Sequence, residues 1–294
     1  MRIVSLLPSA TEIVYALGLE DQLVGVTFEC DEPAAARRDK TVVVGGRDTS
    51  GMSPAAIDAY VRDQVATGHD LYTLDAGALA ALAPDLILTQ DLCRVCALPA
   101  GHVAEALQYL GSTASVVTLD PHSLDDVLET ILTVGQHTRA EQQAEYLVSG
   151  LRRRLANVSD RVEGCPRPAV AVMEWVDPPF TAGHWVPGLV TAAGGRPVAA
   201  DPSGRSSQTN WGEVAAARPD VVVVAPCGFH LTAAAEQADA VTRHLPGTPV
   251  WAIDANGLVV RPGPRLADGV EALASILHPD RAAAIPAGRI RRIA

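Results

Sequence analysis

The amino-acid sequence predicts an α/β protein of two lobes, each with a mostly parallel sheet, joined by one long α-helix. Three observations carry this. Short apolar, β-branched runs alternate with segments of helical periodicity along nearly the whole chain, the pattern of strand–helix–strand units. One such unit occurs twice, as AALAPDLIL at residues 80–88 and AAARPDVVV at residues 215–223: a helix end, Pro-Asp, then an apolar strand. Between these two copies, residues 123–163 contain no proline. A helix of that length spans on the order of 60 Å at about 1.5 Å per residue, longer than a small domain is wide. The expected organisation is therefore an N-terminal lobe (1–122), a linker helix (123–164) and a C-terminal lobe (165–294), each lobe Rossmann-like.

The elements follow in order. Arg2–Leu7 is a strand. Pro8-Ser9 turns into a helix running to about Leu17, with Ser9 or Thr11 as its cap. Strands are expected at Leu23–Phe28, Thr41–Val44, Leu71–Leu74, Leu86–Thr89 and Ser115–Leu119. Helices are expected from Pro54, with Ser53 as cap, at Ala78–Ala83 and at Val103–Leu110. Ser123 with Asp126 marks the start of the linker helix, whose apolar residues Leu124, Val127, Leu128, Ile131 and Leu132 share one face. Beyond it, strands are expected at Ala169–Met173, Val221–Ala225 and Val250–Ile253. The matching helices are Val186–Ala193, Trp211–Ala217, Leu231–His244 and Arg265–Leu277.

Composition narrows the function. The 294 residues are 48% hydrophobic and carry a formal net charge of −11, with one lysine. An acidic chain is poorly suited to nucleic acid, whose binding rests on cationic neutralisation of phosphates. Pro8 and Glu12 interrupt the apolar N-terminus, which reads as strand, turn and helix rather than a signal peptide. No apolar run reaches the roughly 18 residues of a membrane span. A cytoplasmic protein is expected, periplasmic or extracellular only if a leader has been lost. Five cysteines in such a chain do not suggest a disulfide framework.

Three stretches resemble a known family: RIVSLLPSATEIVYALGLEDQLVGVTFECDEP at the N-terminus, EWVDPPFTAGHWVPGLVTAAGG at 174–195 and RPGPRLADGVEALASILHP at 261–279. They are similar to the cobalamin-binding branch of the class III substrate-binding proteins of ABC transporters, the group that binds cobalamin and iron-siderophores. The resemblance covers nearly the whole chain. It implies the class III periplasmic-binding-protein fold, a two-lobe clamp with a corrinoid or related metal chelate held between the lobes. Secreted members usually carry a Glu seven residues before each Pro-Asp, where it docks onto arginines of the permease. Gly77 and Gly212 occupy those positions here, and Glu213 is one residue away, so an ABC permease contact would lack these acids.

In parallel α/β sheets ligands bind outside the carboxyl ends of the strands. The candidate ligand contacts are therefore Ser9, Thr11, Glu29, Cys30, Arg47, Asp91, Cys93 and Cys96 in the first lobe. In the second they are Glu174, Trp175, Phe180, His184, Trp185, Trp211, Cys227 and Phe229. Four of the five cysteines fall at such ends. Cys93 and Cys96 have the C-x-x-C spacing of a soft-metal or redox pair, and Cys30, Cys227 or His230 could complete a zinc or iron site. Buried small residues in a turn, or direct ligand contacts, are the alternatives. Aromatic residues make up only 4% of the chain, so the cluster Trp175, Phe180 and Trp185 suggests an apolar wall for a flat ligand. His122 reads as a helix-end residue without a special role. No nucleophile elbow, P-loop or H-E-x-x-H accompanies the strand-end carboxylates, so a binding protein is expected, with an enzyme on the same clamp as the remaining alternative.

Overall fold

A computed structural model of the chain describes residues 1–49, 51–91, 100–109, 111–201, 204–283 and 285–294. The chain divides into two compact units. The first is Met1–Pro121 with Leu128–Val148, and the second is His122–Val127 with Ser149–Ala294.

The first unit contains β1 (Ile3–Ser5), α1 (Pro8–Ala16), β2 (Leu23–Thr27), α2 (Ala34–Asp39), β3 (Thr41–Gly46), α3 (Pro54–Thr67), β4 (Tyr72–Leu74), α4 (Ala76–Leu82), β5 (Leu86–Thr89), α5 (Ala100–Tyr109) and β6 (Ser115–Thr118). The sheet order is β4-β3-β2-β1-β5-β6. All neighbours are parallel except β3 and β4. Strands β1 and β5 are buried at every position. This is why they read as unbroken apolar runs rather than alternating ones. Val4, Leu6, Val43, Ile87, Val103 and Leu107 form the core on one face. Each fully buried Ile or Leu contributes about 1.5–3 kcal/mol.

Local signals place most helix ends. Ser53 caps α3 by accepting from the Ala56 N–H, and Gly68 ends it in the left-handed conformation. At α1 the expectation fails. Leu7 occupies the cap position and no side chain caps the helix; Ser9 and Thr11 lie inside it. Pro8 at the first position needs no acceptor for an N–H it lacks.

Residues 123–164 form two helices rather than one: α6 (Leu124–Thr138) and α7 (Glu141–Val162). The start is as predicted, with Ser123 Oγ accepting from the Asp126 N–H (3.1 Å) and Asp126 Oδ2 accepting from the Ser123 N–H (2.9 Å). The break has a physical cause without proline. Thr138 Oγ1 donates back to the Val134 carbonyl at 2.7 Å, and Arg139 takes φ +59°. The Ala140 N–H then closes on the Gly135 carbonyl at 2.8 Å. The turn packs Ala144 so tightly that a Cβ on Gly135 would lie 2.5 Å from the Ala144 Cβ.

The second unit contains β7 (Ala169–Val176), β8 (Pro179–Thr181), α8 (Val186–Ala192), β9 (Arg196–Pro197), β10 (Ser207–Gln208), α9 (Trp211–Ala216), β11 (Val221–Val224), α10 (Leu231–His244), β12 (Val250–Ile253), α11 (Ala255–Leu258), α12 (Leu266–Leu277) and β13 (Ile290–Arg292). Its sheet runs β10-β8-β7-β11-β12-β13, with β9 beside the start of β7. The centre, β7-β11-β12, is parallel as predicted; β8, β10 and β13 are antiparallel additions. Ala171, Met173, Val222, Val224 and Val250 of the sheet pack with the small residues Ala234 and Ala238 of α10. On the polar side, Arg154 of α7 pairs with Asp268 and Glu271 of α12.

Candidate functional site

Each sheet has one place where the chain order reverses. In the first unit it lies between β1 and β5, in the second between β7 and β11. At such a point the loops leaving neighbouring strands diverge and open a crevice.

In the first unit, residues that follow β1 and β2 turn into the fold. Thr11 and Cys30 are both 0% exposed, and Ser9 is 3% exposed. The Thr11 hydroxyl donates to Ser5 Oγ at 2.9 Å, and Ser5 donates to the Leu7 carbonyl at 2.9 Å. Thr11 has one hydrogen, already used, so its 3.0 Å contact with Cys30 Sγ is the thiol donating to the hydroxyl. Ser9, Thr11 and Cys30, expected as ligand contacts, are thus buried in this structure, and Thr11 and Cys30 are engaged with side chains of their own unit. Glu29 is half-buried, and the Tyr72 hydroxyl donates to it at 3.5 Å. Arg47 is exposed, its guanidinium 4.5 Å above the Tyr60 ring. Asp91 is exposed, and its backbone N–H donates to Asp120 Oδ1 at 2.6 Å. Cys93 and Cys96 lie outside the described residues. Among the described residues there is no disulfide and no cluster of three or more metal-ligating side chains.

The second unit gathers more of its predicted residues. Strand β7 runs past the end of β11, so Glu174 and Trp175 lie beyond that junction while β7 stays paired with β8. The Cys227 N–H donates to the Glu174 carbonyl at 3.2 Å, fixing the loop after β11 against β7. Trp175 and Phe229 meet with ring centres 5.6 Å apart at 49°, a favourable tilted arrangement. Phe180 faces Trp175 across the β7–β8 pair. The Trp175 indole N–H donates to the Asp177 carbonyl at 3.1 Å. Two aromatic side chains and a half-buried thiol thus stand together at this end of the sheet.

Beside them is a desolvated carboxyl. Burial pushes the Glu174 carboxyl up from its ordinary value, against the opposing pull of hydrogen bonds from the Ser206 hydroxyl and the Gly183 N–H. Gly183 also donates to Ser206 Oγ at 3.3 Å. A Cβ on Gly183 would lie 2.2 Å from the backbone of Arg205 and Ser206, so only glycine lets that segment lie against the turn. His184 follows with φ +54°, its backbone N–H bonded to the Gly204 carbonyl. Burial, the neighbouring His122 and Arg205 push its imidazole down from the usual value.

Two predicted contacts fall elsewhere. Trp185 is 7% exposed and its indole N–H donates to the Val259 carbonyl at 2.7 Å, so it belongs to the core. Trp211 stacks on His244 at 4.8 Å and 6°. His244 is the last residue of α10, which has carried the chain back toward the start of β12, so this stack lies away from the strand carboxyl ends. One group that sequence reasoning passed over is Asp254, directly after β12. It is buried and accepts from His230 Nδ1 (2.9 Å), Arg289 (2.7 Å) and the Gly257 N–H (3.2 Å). Burial alone would raise its carboxyl; those hydrogen bonds hold it below the ordinary range. Its place at a strand end was the available signal, but Arg289 lies 35 residues on and no local pattern joins them. Ser206 was missed for the same reason.

The chain belongs to the periplasmic binding protein family, which matches residues 3–255. It is 27% identical over 290 residues to the uncharacterized ABC transporter substrate-binding lipoprotein YvrC of Bacillus subtilis, covering 95% of this chain and 80% of that one. It is also 27% identical over 293 residues to a cobalamin-binding protein of Halobacterium salinarum, covering 94% and 69%. Among solved structures, a periplasmic heme binding protein from Pseudomonas aeruginosa superposes with a TM-score of 0.74 over 99% of this chain and 97% of that one, at 22% identity. The α/β fold with mostly parallel sheets is that of these substrate-binding proteins. No helix among the described residues is long and apolar enough to cross a membrane.

Proposed function

We propose that this chain is a binding protein for cobalamin or a related corrinoid, and that the end of the second unit's sheet supplies part of the contact surface. The observation that carries the reading is the Trp175–Phe229 pair at the β7–β11 junction, with Phe180 beside it. A corrin is broad, flat and largely apolar, with amide side chains at its rim. Its recognition calls for aromatic walls and a few fixed polar groups, which Glu174 and Ser206 provide here. The cobalamin-binding relative, aligned over nearly the whole chain, supports the same ligand class. The role is capture and release, without turnover.

The test is a visible-absorbance titration of purified protein with cobalamin and, separately, with haem. Cobalamin binding at micromolar concentration or tighter is expected. Removing one aromatic wall forfeits about 1.5–3 kcal/mol, so Trp175→Ala should weaken cobalamin binding at least about tenfold. Haem binding without cobalamin binding would reject the corrinoid and keep the chelate class. Equal affinity in Trp175→Ala would remove this face from the site.

A further inference from the structure

We propose that His122 and His184 form a two-imidazole site for a divalent late transition-metal ion such as Zn²⁺ on the second unit, a site distinct in chemistry from the corrinoid reading above. The ring centres are 6.3 Å apart and inclined at 37°. With metal–nitrogen bonds of about 2.0–2.1 Å, an ion sits roughly 3.2 Å from each ring centre; two imidazoles on one ion are then about 5.2 Å apart at a tetrahedral angle and about 6.4 Å apart when opposed. The observed separation lies at the opposed end of that range, so a tetrahedral ion would draw the ring centres about 1 Å closer, and rotation about each Cβ–Cγ bond selects the nitrogen presented.

Neither imidazole makes a hydrogen bond among the described residues, whereas both backbones are anchored. The His122 N–H donates to Asp126 Oδ2 at 2.9 Å, within the box that starts α6. His184 is fixed on one side by Gly183 pressed against Arg205 and Ser206, and on the other by the buried Trp185. The two side chains are therefore held near each other by rigid neighbours, the condition for a preorganised pair of ligands. Arg205 is the opposing feature: its charge near His184 lowers affinity for a cation. The remaining coordination positions would be taken by water, giving an open site of modest affinity.

The experiment uses tag-free, chelator-washed full-length protein and Zn²⁺, followed by imidazole proton–nitrogen NMR. One equivalent should shift the ring nitrogens of His122 and His184 together. His122→Ala should lower affinity at least about tenfold and leave the His184 ring unmoved by the metal. His184→Asn, chosen because asparagine tolerates positive φ, should do the reciprocal; unchanged thermal unfolding in both variants establishes that the fold is kept. Thiolate coordination leaves these rings unshifted, so Zn²⁺ uptake without imidazole shifts overturns the proposal. So does independent titration of the two rings, or metal affinity unchanged in His122→Ala. None of these outcomes depends on whether the protein binds cobalamin.

Discussion

Glu174 makes stability depend on pH in a direction set by its surroundings. Burial raises its carboxyl above the ordinary value of 4.5, so the folded state holds the proton more tightly than the unfolded chain does. The stability this contributes is fully present below pH 4.5 and is lost as pH rises through the raised value. Glu174→Gln keeps the shape and removes the charge. Its melting temperature relative to the natural protein should be highest at neutral pH and converge with it in acid, as thermal unfolding across pH 4 to 8 will measure. Asp254 works the other way, since its charge is hydrogen-bonded by His230, Arg289 and the start of α11. Asp254→Ala should cost about 2–3 kcal/mol, from a lost cap and lost charged hydrogen bonds, measurable by urea unfolding. At this scale the sequence was half legible. Glu174 and Trp175 stand out in the sequence because they close the apolar run of β7, and Cys227 and Phe229 because they lie in the loop after β11. Ser9, Thr11 and Cys30 follow strands too, yet turn inward, because whether a strand-end residue faces the crevice depends on the loop that carries it.

Elements were legible where local chemistry is strong, and illegible where distant chain supplies the reason. The apolar centres of both sheets and the Ser53 cap follow from neighbouring residues alone. The break after α6 did not show itself, because Gly135 reads as a weak helix position until Ala144 is seen against it. Gly135→Ala forces two methyl-sized groups to 2.5 Å. It should destabilise the first unit by about 1–3 kcal/mol, the usual range for overpacking, readable by chemical denaturation. The short antiparallel strands β8, β10 and β13 were also hidden, since two- and three-residue strands carry too little pattern to distinguish them from loops. Gly183→Ala tests how far β10 depends on that contact. Its Cβ meets backbone, which cannot rotate away, so the β8–β10 pairing should be lost, with faster amide hydrogen exchange at Ser207 and Gln208 than in the natural protein.

For the whole molecule, alternation of strand and helix was enough to specify two α/β units, and the repeated helix–Pro-Asp–strand segment marked one in each. The division itself was less legible: it runs through α6 and α7 instead of coinciding with the ends of a linker. Ligand linkage offers a global check on the proposed function. Cobalamin at about 100 times its dissociation constant should add roughly 2.7 kcal/mol to stability, raising the melting temperature, with a smaller rise in Trp175→Ala. The Cys30–Thr11–Ser5 chain supplies a second global readout. A thiol with no exposed surface and its hydrogen committed to a neighbour is sheltered from alkylating reagents until the first unit opens. Cys227 and Cys165 are partly exposed and should label in the native state. Peptide mapping can follow each thiol separately, so Cys30 becomes a built-in clock for the opening of the first unit, needing no introduced probe.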